Sequence, residues 1–490
     1  MSQILHTDVL VVGGGGSGLA TAVQAAQLGA DVVLVEKNDE LGGTSARAVG
    51  SVSASLTEFQ RRKGIQDSLE EHFEDLGVLA GENLHRDNLR LRRVYVENTG
   101  ETLHWLKSLG VAFFGPMPEP PNRHPRMHNV LPNSGAYIHR LHRAARKLGV
   151  RIVTGTRVER LLDEEGRIVG AECAGADGRP VTVRARRGVV LAAGDFSSSP
   201  ELKTEHMGEA VARVEGINPD STGDGLRLGL DAGGRLLNAD LALWGPEMRF
   251  VAPPRKLLLQ MLPPVRALTA CMQLALRFIP DRLLRPFIMA FATSYLAPTQ
   301  DLYREGAVLV NAHGDRFTDE QATPWLDLPL QPDGVGYIVL DSRTAGLFKK
   351  WPRFVSTAPG VAYAFIDDYR RNRKDIFHEA RTVEELAARI GVPTDRLARS
   401  VPAGTGPFIA LGPVKSWIVM TDGGLATDGS LRVLDAADVP IPGLYAAGSN
   451  GQGGLILNGH GNHLGWAFVS GRLAAKAVVA APEHTSTPAR

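Results

Sequence analysis

Cysteine is nearly absent from this chain: Cys173 and Cys271 are the only two among 490 residues. Two thiols cannot build a disulfide scaffold, ligate an iron–sulfur cluster or anchor a CxxCH haem. Net charge is also nearly absent, at +1. With no long basic stripe and no aromatic-rich sheet motif, a nucleic-acid binder is excluded. The histidines lack carboxylate partners at ligand spacing on one face, so no metal centre is expected. No internal repeat is present. The first strand starts within a few residues of Met1, which leaves no room for a signal peptide or a twin-arginine leader. The expected compartment is therefore the reducing cytoplasm. The length points to more than one domain and a large core.

What the chain does have is glycine in telling places. Asp8-Val9-Leu10-Val11-Val12 leads into Gly13-Gly14-Gly15-Gly16-Ser17-Gly18, and Val32-Val33-Leu34-Val35 ends in Glu36. This reads as strand, glycine turn, helix, strand and acid, the fingerprint of an adenine dinucleotide site. Gly13 permits the tight turn. Gly15 lets backbone approach a pyrophosphate, and Gly18 lets helix and strand pack closely. The helix N-terminus offers N–H groups and positive dipole to phosphates. Glu36 can accept hydrogen bonds from ribose hydroxyls.

The following Lys37-Asn38-Asp39-Glu40-Leu41-Gly42-Gly43-Thr44-Ser45 favours FAD over NAD, because this small-residue turn can run under a long diphosphate. Two distant strands also end in small turns, at Ala192-Ala193-Gly194-Asp195 and at Tyr445-Ala446-Ala447-Gly448. Three such turns suit one extended cofactor. No second glycine fingerprint for NAD(P) is visible. An external electron acceptor, a quinone or a redox carrier, is therefore expected alongside a small-molecule substrate.

Together with Thr222-Gly223-Asp224-Gly225, the run Arg304 to Asn311 with Arg316-Phe317 and Glu320, and Gly459-His460-Gly461-Asn462-His463-Leu464-Gly465, these stretches resemble the FAD flavoproteins of the fumarate reductase, succinate dehydrogenase and 3-ketosteroid dehydrogenase family. The resemblance implies an α/β fold: a doubly wound, Rossmann-like FAD-binding domain with an inserted α+β cap. It extends the implied cofactor contacts to Gly50, Arg157, Val158, Asp224, Asn462 and Leu464. It also implies CH–CH oxidoreduction next to a carbonyl.

Departures from the family narrow the chemistry. Where fumarate reductases carry a substrate arginine, this chain has His463, and Pro324 stands where their donor arginine is expected. Holding a dianion without those cations would be costly, so a succinate-like diacid is not expected. Ala46-Arg47-Ala48 replace the stretch holding the flavin-linked histidine of succinate dehydrogenases, so FAD should be noncovalent. The carbonyl-donor tyrosine of ketosteroid dehydrogenases is replaced by Leu457, leaving Asn458, His460 and the Gly461 N–H as donors. Tyr363, on a glycine-proline loop, is the first choice for an acid or base. Tyr295, His460, His463 and Arg304 complete the candidate catalytic set. The expected reaction is oxidation of a lipophilic, ketosteroid-like substrate, or the reverse as an ene-reductase. An electron-transfer subunit without substrate chemistry is the rival reading.

The FAD domain is expected over 1–245 and 413–481, the cap over 246–412, and a disordered tail over 482–490. Between Pro253 and Pro298 the cap carries many large apolar residues and six basic ones against a single acid, Asp281. Prolines cut this stretch into pieces shorter than the roughly 20 residues that span a bilayer. Two readings fit it: short helices lying in a lipid headgroup layer, or a buried cap or oligomer interface. His124 and His128, with Arg123 and Arg126, read as a solvated basic loop or as a wall of the substrate pocket.

Overall fold

The computed structural model describes residues 3–176, 178–254, 261–279, 285, 289–290, 293–294, 296–358 and 362–484. The uncharged run after Asp8 forms the inner half of the strand Gln3–Val12, buried along its last six residues. A strand covered on both faces reads as continuous apolar sequence. It lies inside an eight-stranded sheet, parallel to Val32–Val35 on one side and to Pro180–Leu191 on the other. Arg151–Val153 continues one flank, and Pro440–Ala446 followed by Arg432–Leu434 continues the other. The hairpin Arg157–Glu164 and Arg167–Ala174 branches from Pro180–Leu191. The parallel strands therefore end together near Val12, Val35, Leu191 and Ala446, the edge where open α/β sheets form their ligand crevice.

Two helices cover one face of that edge. Gly16–Gln27 packs against Asn462–Ala480, and Val9, Val11, Leu19, Val23, Trp466 and Phe468 share one buried cluster. The contact is intimate because small residues face each other. A Cβ on Gly471 would lie 2.5 Å from the Ser17 carbonyl oxygen.

A second, six-stranded sheet forms the cap. Phe408–Ile418 is its hub, pairing with Gly336–Leu340, Glu247–Phe250, Phe377–Ala380 and the short Glu215–Gly216. The boundary expected at 412/413 thus cuts through one continuous strand. The Gly412-Pro413 pair reads as a break but lies inside the ladder, and the chain leaves this sheet only after Ile418. Glu215–Gly216, which precedes the expected insertion, also belongs to the cap sheet.

The tail departs from expectation as well. Glu483 pairs with Arg187 at 2.6 Å, and His484 bonds the Arg186 carbonyl at 2.7 Å, so residues 482–484 fold back onto the sheet. Residues 485–490 lie outside the described ones. Among the described residues no helix is long and apolar enough to cross a membrane.

The basic cluster is not a solvated loop. Arg126 is 1% exposed and clamps Asp67 at 2.7 and 2.9 Å and Asp75 at 2.6 Å. Burial pushes the Asp67 carboxyl up, but the Arg126 bonds outweigh it and leave it below the usual range. His128 is fully buried, bonded to Thr57 and to the Arg126 carbonyl. Burial holds its pKa down at about 4, so it is neutral at pH 7. Arg123 reaches Asp75 and Glu74 at the rim. Asp67, Glu71 and His124 bring ligand-type atoms within 4.8 Å of one another, yet both Asp67 oxygens already face Arg126.

Arg126→Ala should therefore leave the buried Asp67 carboxylate without its cation, Asp75 keeping Arg123, and cost about 3–5 kcal/mol. Urea unfolding followed by tryptophan fluorescence measures this. A loss under about 1 kcal/mol would mean that the triad is not a structural anchor.

Candidate active site

The glycine turn shows why its residues must be small. Gly13 has φ +106°, and a Cβ there would lie 2.5 Å from the Ala192 carbonyl oxygen. A Cβ on Gly18 would lie 1.8 Å from the Gly13 oxygen. At Gly15, by contrast, the nearest protein atom to an added Cβ is 3.9 Å away, and at Gly194 there is none within 4 Å. The backbone is thus locked where protein meets protein and open where a ligand would lie.

A cleft follows this open side. Gly13, Gly15, Gly16 and Ser17 line it from the first turn, and Glu36, Lys37, Gly43, Thr44 and Ser45 from the second. Ala193, Gly194 and Gly448 line it from the two distant strand ends, and His463 and Leu464 from the C-terminal helix. An adjoining pocket shares Gly13, Glu36, Lys37 and Ala193 and adds Arg157, Val158 and Asp224. The three turns noted in the sequence converge on this one space.

The corner where this adjoining pocket meets the cleft is held by charge. Lys37 Nζ contacts Asp224 at 2.8 Å, Thr222 Oγ1 at 2.7 Å and the Asp220 carbonyl at 2.6 Å. Arg157 takes the other Asp224 oxygen at 2.6 Å. Glu36 accepts the Gly14 N–H at 2.7 Å and the Asn38 N–H at 2.9 Å. Each carboxylate oxygen keeps a further lone pair.

Four expected contacts lie behind the wall instead of on it. Gly18 supports the turn, and Gly42 caps the helix Gly43–Arg47. Gly50 has φ +98° and its carbonyl accepts the Tyr137 hydroxyl at 2.9 Å. Asn462 is buried, accepting from Tyr95 and donating to the Asn458 carbonyl. Sequence spacing identifies the turns, but not which face of each turn meets the cavity.

The far end of the cleft carries the chemistry-bearing groups. His463, in the first turn of the C-terminal helix, places Nε2 3.6 Å from Asp422 Oδ1. That nitrogen is buried and has no hydrogen-bond partner among the described residues. Asp422 is wholly buried; it accepts the Leu243 N–H at 2.7 Å and the Gln452 amide at 3.2 Å. Burial lowers the His463 pKa to about 4 and raises that of Asp422 to about 6. Burial also pushes Asp195, which lines the cleft, above its usual range. Met420, Leu464 and Ala467 make this end apolar. Among the described lining residues of the main cleft, Lys37 is the one basic side chain besides His463, and no guanidinium is present.

The other catalytic candidates lie elsewhere. His460 is outside the cleft lining, its backbone N–H and Nδ1 both 2.6 Å from Glu119 Oε1, with its ring edge-on to Trp244. Arg304 is a surface residue of the cap, 66% exposed and paired with Asp301. Tyr363 sits in the short hairpin Ser356–Ala358 and Ala362–Ala364, packed edge-on to Trp351 at 5.3 Å. It too is outside the cleft lining, as a cap strand residue instead of a loop tip. Tyr295 lies outside the described residues. Leu457 is buried, and Asn458 is committed to the Leu79 carbonyl at 3.0 Å.

Asp195, Asn218, Asp220, Ser221 and Met420 line the cleft without having been singled out. Asp195 ends the small turn already noted, and residues 218–221 lead into the Thr222 motif, so adjacency was the available signal. Glu119, inside a proline loop, had none.

The family model described as FAD binding domain matches residues 8–263 and 277–459. The chain is 26% identical over 455 residues to NADH:fumarate oxidoreductase of Klebsiella pneumoniae, covering 90% of this chain and 44% of that protein. This chain thus spans less than half of that relative's length. It is 26% identical over 511 residues to vinyl phenol reductase of Lactiplantibacillus plantarum, covering 95% and 94%. A solved 3-ketosteroid-delta4-(5alpha)-dehydrogenase from Rhodococcus jostii RHA1 superposes with TM-score 0.61 at 23% identity, covering 97% of each chain. That likeness shows a shared fold.

The Asp422 carboxyl carries a signed pH dependence. Its folded pKa of about 6 lies above the ordinary 3.8, so its contribution to stability is full below pH 3.8 and lost as pH rises through 6. The loss is about 3 kcal/mol, at about 1.4 per pH decade. Asp422→Asn, which keeps an oxygen for the Leu243 N–H, should narrow or reverse its deficit against wild type between pH 4 and pH 8. Denaturant midpoints across that range test this, and a pH-independent difference would contradict a buried ionisable acid.

Proposed function

Because the matched model spans most of its length, this chain belongs to the FAD binding domain family, and we propose that it is a noncovalent FAD-dependent reductase of an uncharged, activated carbon–carbon double bond. One observation carries this reading: the cleft ends in a neutral histidine among apolar side chains, with no guanidinium among its described lining residues. A dianionic substrate would leave its charges unpaired there. An alkene conjugated to a carbonyl or a phenol needs only a hydrogen bond and a proton. The relative aligned along nearly its whole length is named a vinyl phenol reductase, which favours reduction. Oxidation of a ketosteroid-like compound, the direction first expected, rests on a likeness of fold.

The residues present fit FAD. The cradle at Gly15 and Gly194 is open, whereas Gly13 and Gly18 are closed by protein. When bound, FAD supplies a two-electron hydride carrier. Glu36 would use its spare lone pairs on ribose hydroxyls. The turn opening Gly16–Gln27 would hold the diphosphate by N–H groups and helix dipole. The positive end of Asn462–Ala480 favours negative charge developing beside His463 and Leu464. His463 would deliver a proton to one carbon of the substrate double bond. Asp422, whose Oδ1 lies 3.6 Å from the His463 Nε2, would be a positioning residue that supplies the proton in turn. Met420, Leu464 and Ala467 keep water from the reacting carbons. Reducing equivalents would come from an external carrier.

The test uses the purified flavoprotein, anaerobic, with a reduced viologen as chemical donor. Vinyl phenols and enones should be consumed at least 100-fold more efficiently than fumarate. Faster turnover of fumarate would sink the proposal. His463→Ala should lower kcat by roughly 10²–10⁴-fold, the range of a lost general acid. In wild type the reductive rate should fall above about pH 6, where Asp422 ionises, and Asp422→Asn should flatten that limb. Acid precipitation should release the yellow flavin into the supernatant; colour retained in the pellet would show a covalent link.

A further inference from the structure

The cap's helix Arg266–Phe278 is an amphipathic element with almost nothing among the described residues on its outer side. Thr269 is its one buried residue. It is tied to the body by the Gln273 amide on the Phe113 carbonyl at 2.9 Å. Leu274 is 61% exposed and Phe278 68% exposed, and Met261 and Val265 in the preceding segment are 66% and 50% exposed. Large apolar side chains clustered in this way mark an interaction surface.

The ground beside it is cationic. The segment leading into this helix meets the helix Gly135–Lys147: Asn133 donates to the Leu262 carbonyl, and Arg140 to that of Pro264. Neither helix contains an acidic residue. Arg143, Arg146 and Lys147 are exposed on one, Arg266 and Arg277 on the other. None of these five cations has an ion-pair partner among the described residues, although most other arginines of the chain do. Two of them, Arg143 and Arg266, act on basic neighbours instead. Burial and then the charges of Arg266 and Arg143 lower the Arg140 pKa; burial, Arg140 and Arg143 do the same at His139.

We propose that this face docks on an anionic lipid bilayer. Apolar side chains entering the acyl boundary, ringed by unpaired arginines at headgroup level, are what such a surface selects. The helix is 13 residues long, too short to cross and suited to lying in the interface. A second copy of the chain is a poorer occupant, because a two-fold contact would set like charges against like. A nucleic acid would satisfy the cations but leave Leu274 and Phe278 in water.

Flotation of the full-length flavoprotein with vesicles decides the matter. The protein should float with vesicles of two parts phosphatidylcholine to one part phosphatidylglycerol, and at least tenfold less with phosphatidylcholine alone. Raising salt to 0.5 M should release most of it. Leu274→Glu with Phe278→Glu, and separately Arg143→Glu with Arg146→Glu, should each cut flotation at least tenfold. Flavin content and circular dichroism should stay at wild-type values, because these side chains are exposed. Wild-type protein left at the bottom of the gradient with anionic vesicles overturns the proposal. So does equal flotation with both vesicle types. A dimer in sedimentation that Leu274→Glu dissolves would reassign the face to self-association.

Discussion

Backbone packed directly against backbone around Ser17 is the constraint on which the rest of this molecule depends. Gly13 and Gly18 meet each other and Ala192 with no room for a Cβ, and Gly448 and Gly471 close on Ser17 from the other side. Four separate stretches of chain are thereby drawn to one point. Glycine forfeits conformational entropy in doing this. The return is a helix N-terminus fixed at the edge of a parallel sheet, with open space in front of it. The cleft is what remains once those contacts are made.

Charge then divides the cleft into two environments. At one end Lys37 and Arg157 share the Asp224 carboxylate within hydrogen-bond distance, and Glu36 is held by backbone N–H groups. At the other end burial decides: His463 is kept neutral, and Asp422 and Asp195 are pushed toward their protonated forms. A polar anchor and an apolar, proton-holding end suit a long cofactor whose reactive ring must be shielded from water. The same contrast recurs in the structural ion pairs. Arg126 is buried because two carboxylates surround it, while Arg143, Arg146 and Lys147 of the helix Gly135–Lys147 remain at the surface with no ion-pair partner among the described residues.

The sequence was most legible where the chemistry is local. Strand, turn, helix and acid are contiguous, so Gly13 to Glu36 could be read directly. Legibility failed where a decision depends on what lies across a gap. Gly50 and Gly42 have the residue type of a ligand contact but support other backbone. Arg304 carries a charge in a noted motif yet pairs with Asp301 on the surface. Tyr363 looked like a loop residue above a ring and is instead a strand residue packed edge-on to Trp351. The basic loop looked solvated because Asp67 and Asp75, its counter-charges, are some fifty residues away.

By itself the sequence determined the doubly wound nucleotide-binding half, the three small-residue turns and the presence of His463 and Pro324 at motif positions where the resemblance expects arginine, because each is written in neighbouring residues. Only the tertiary structure decided that Asp422 stands behind His463, that Glu119 holds His460, and that the last strand of the cap runs unbroken through Gly412-Pro413. Those relations join side chains far apart along the chain. Burial and distance, which set proton affinities and hydrogen bonds, exist only once the sheets have packed.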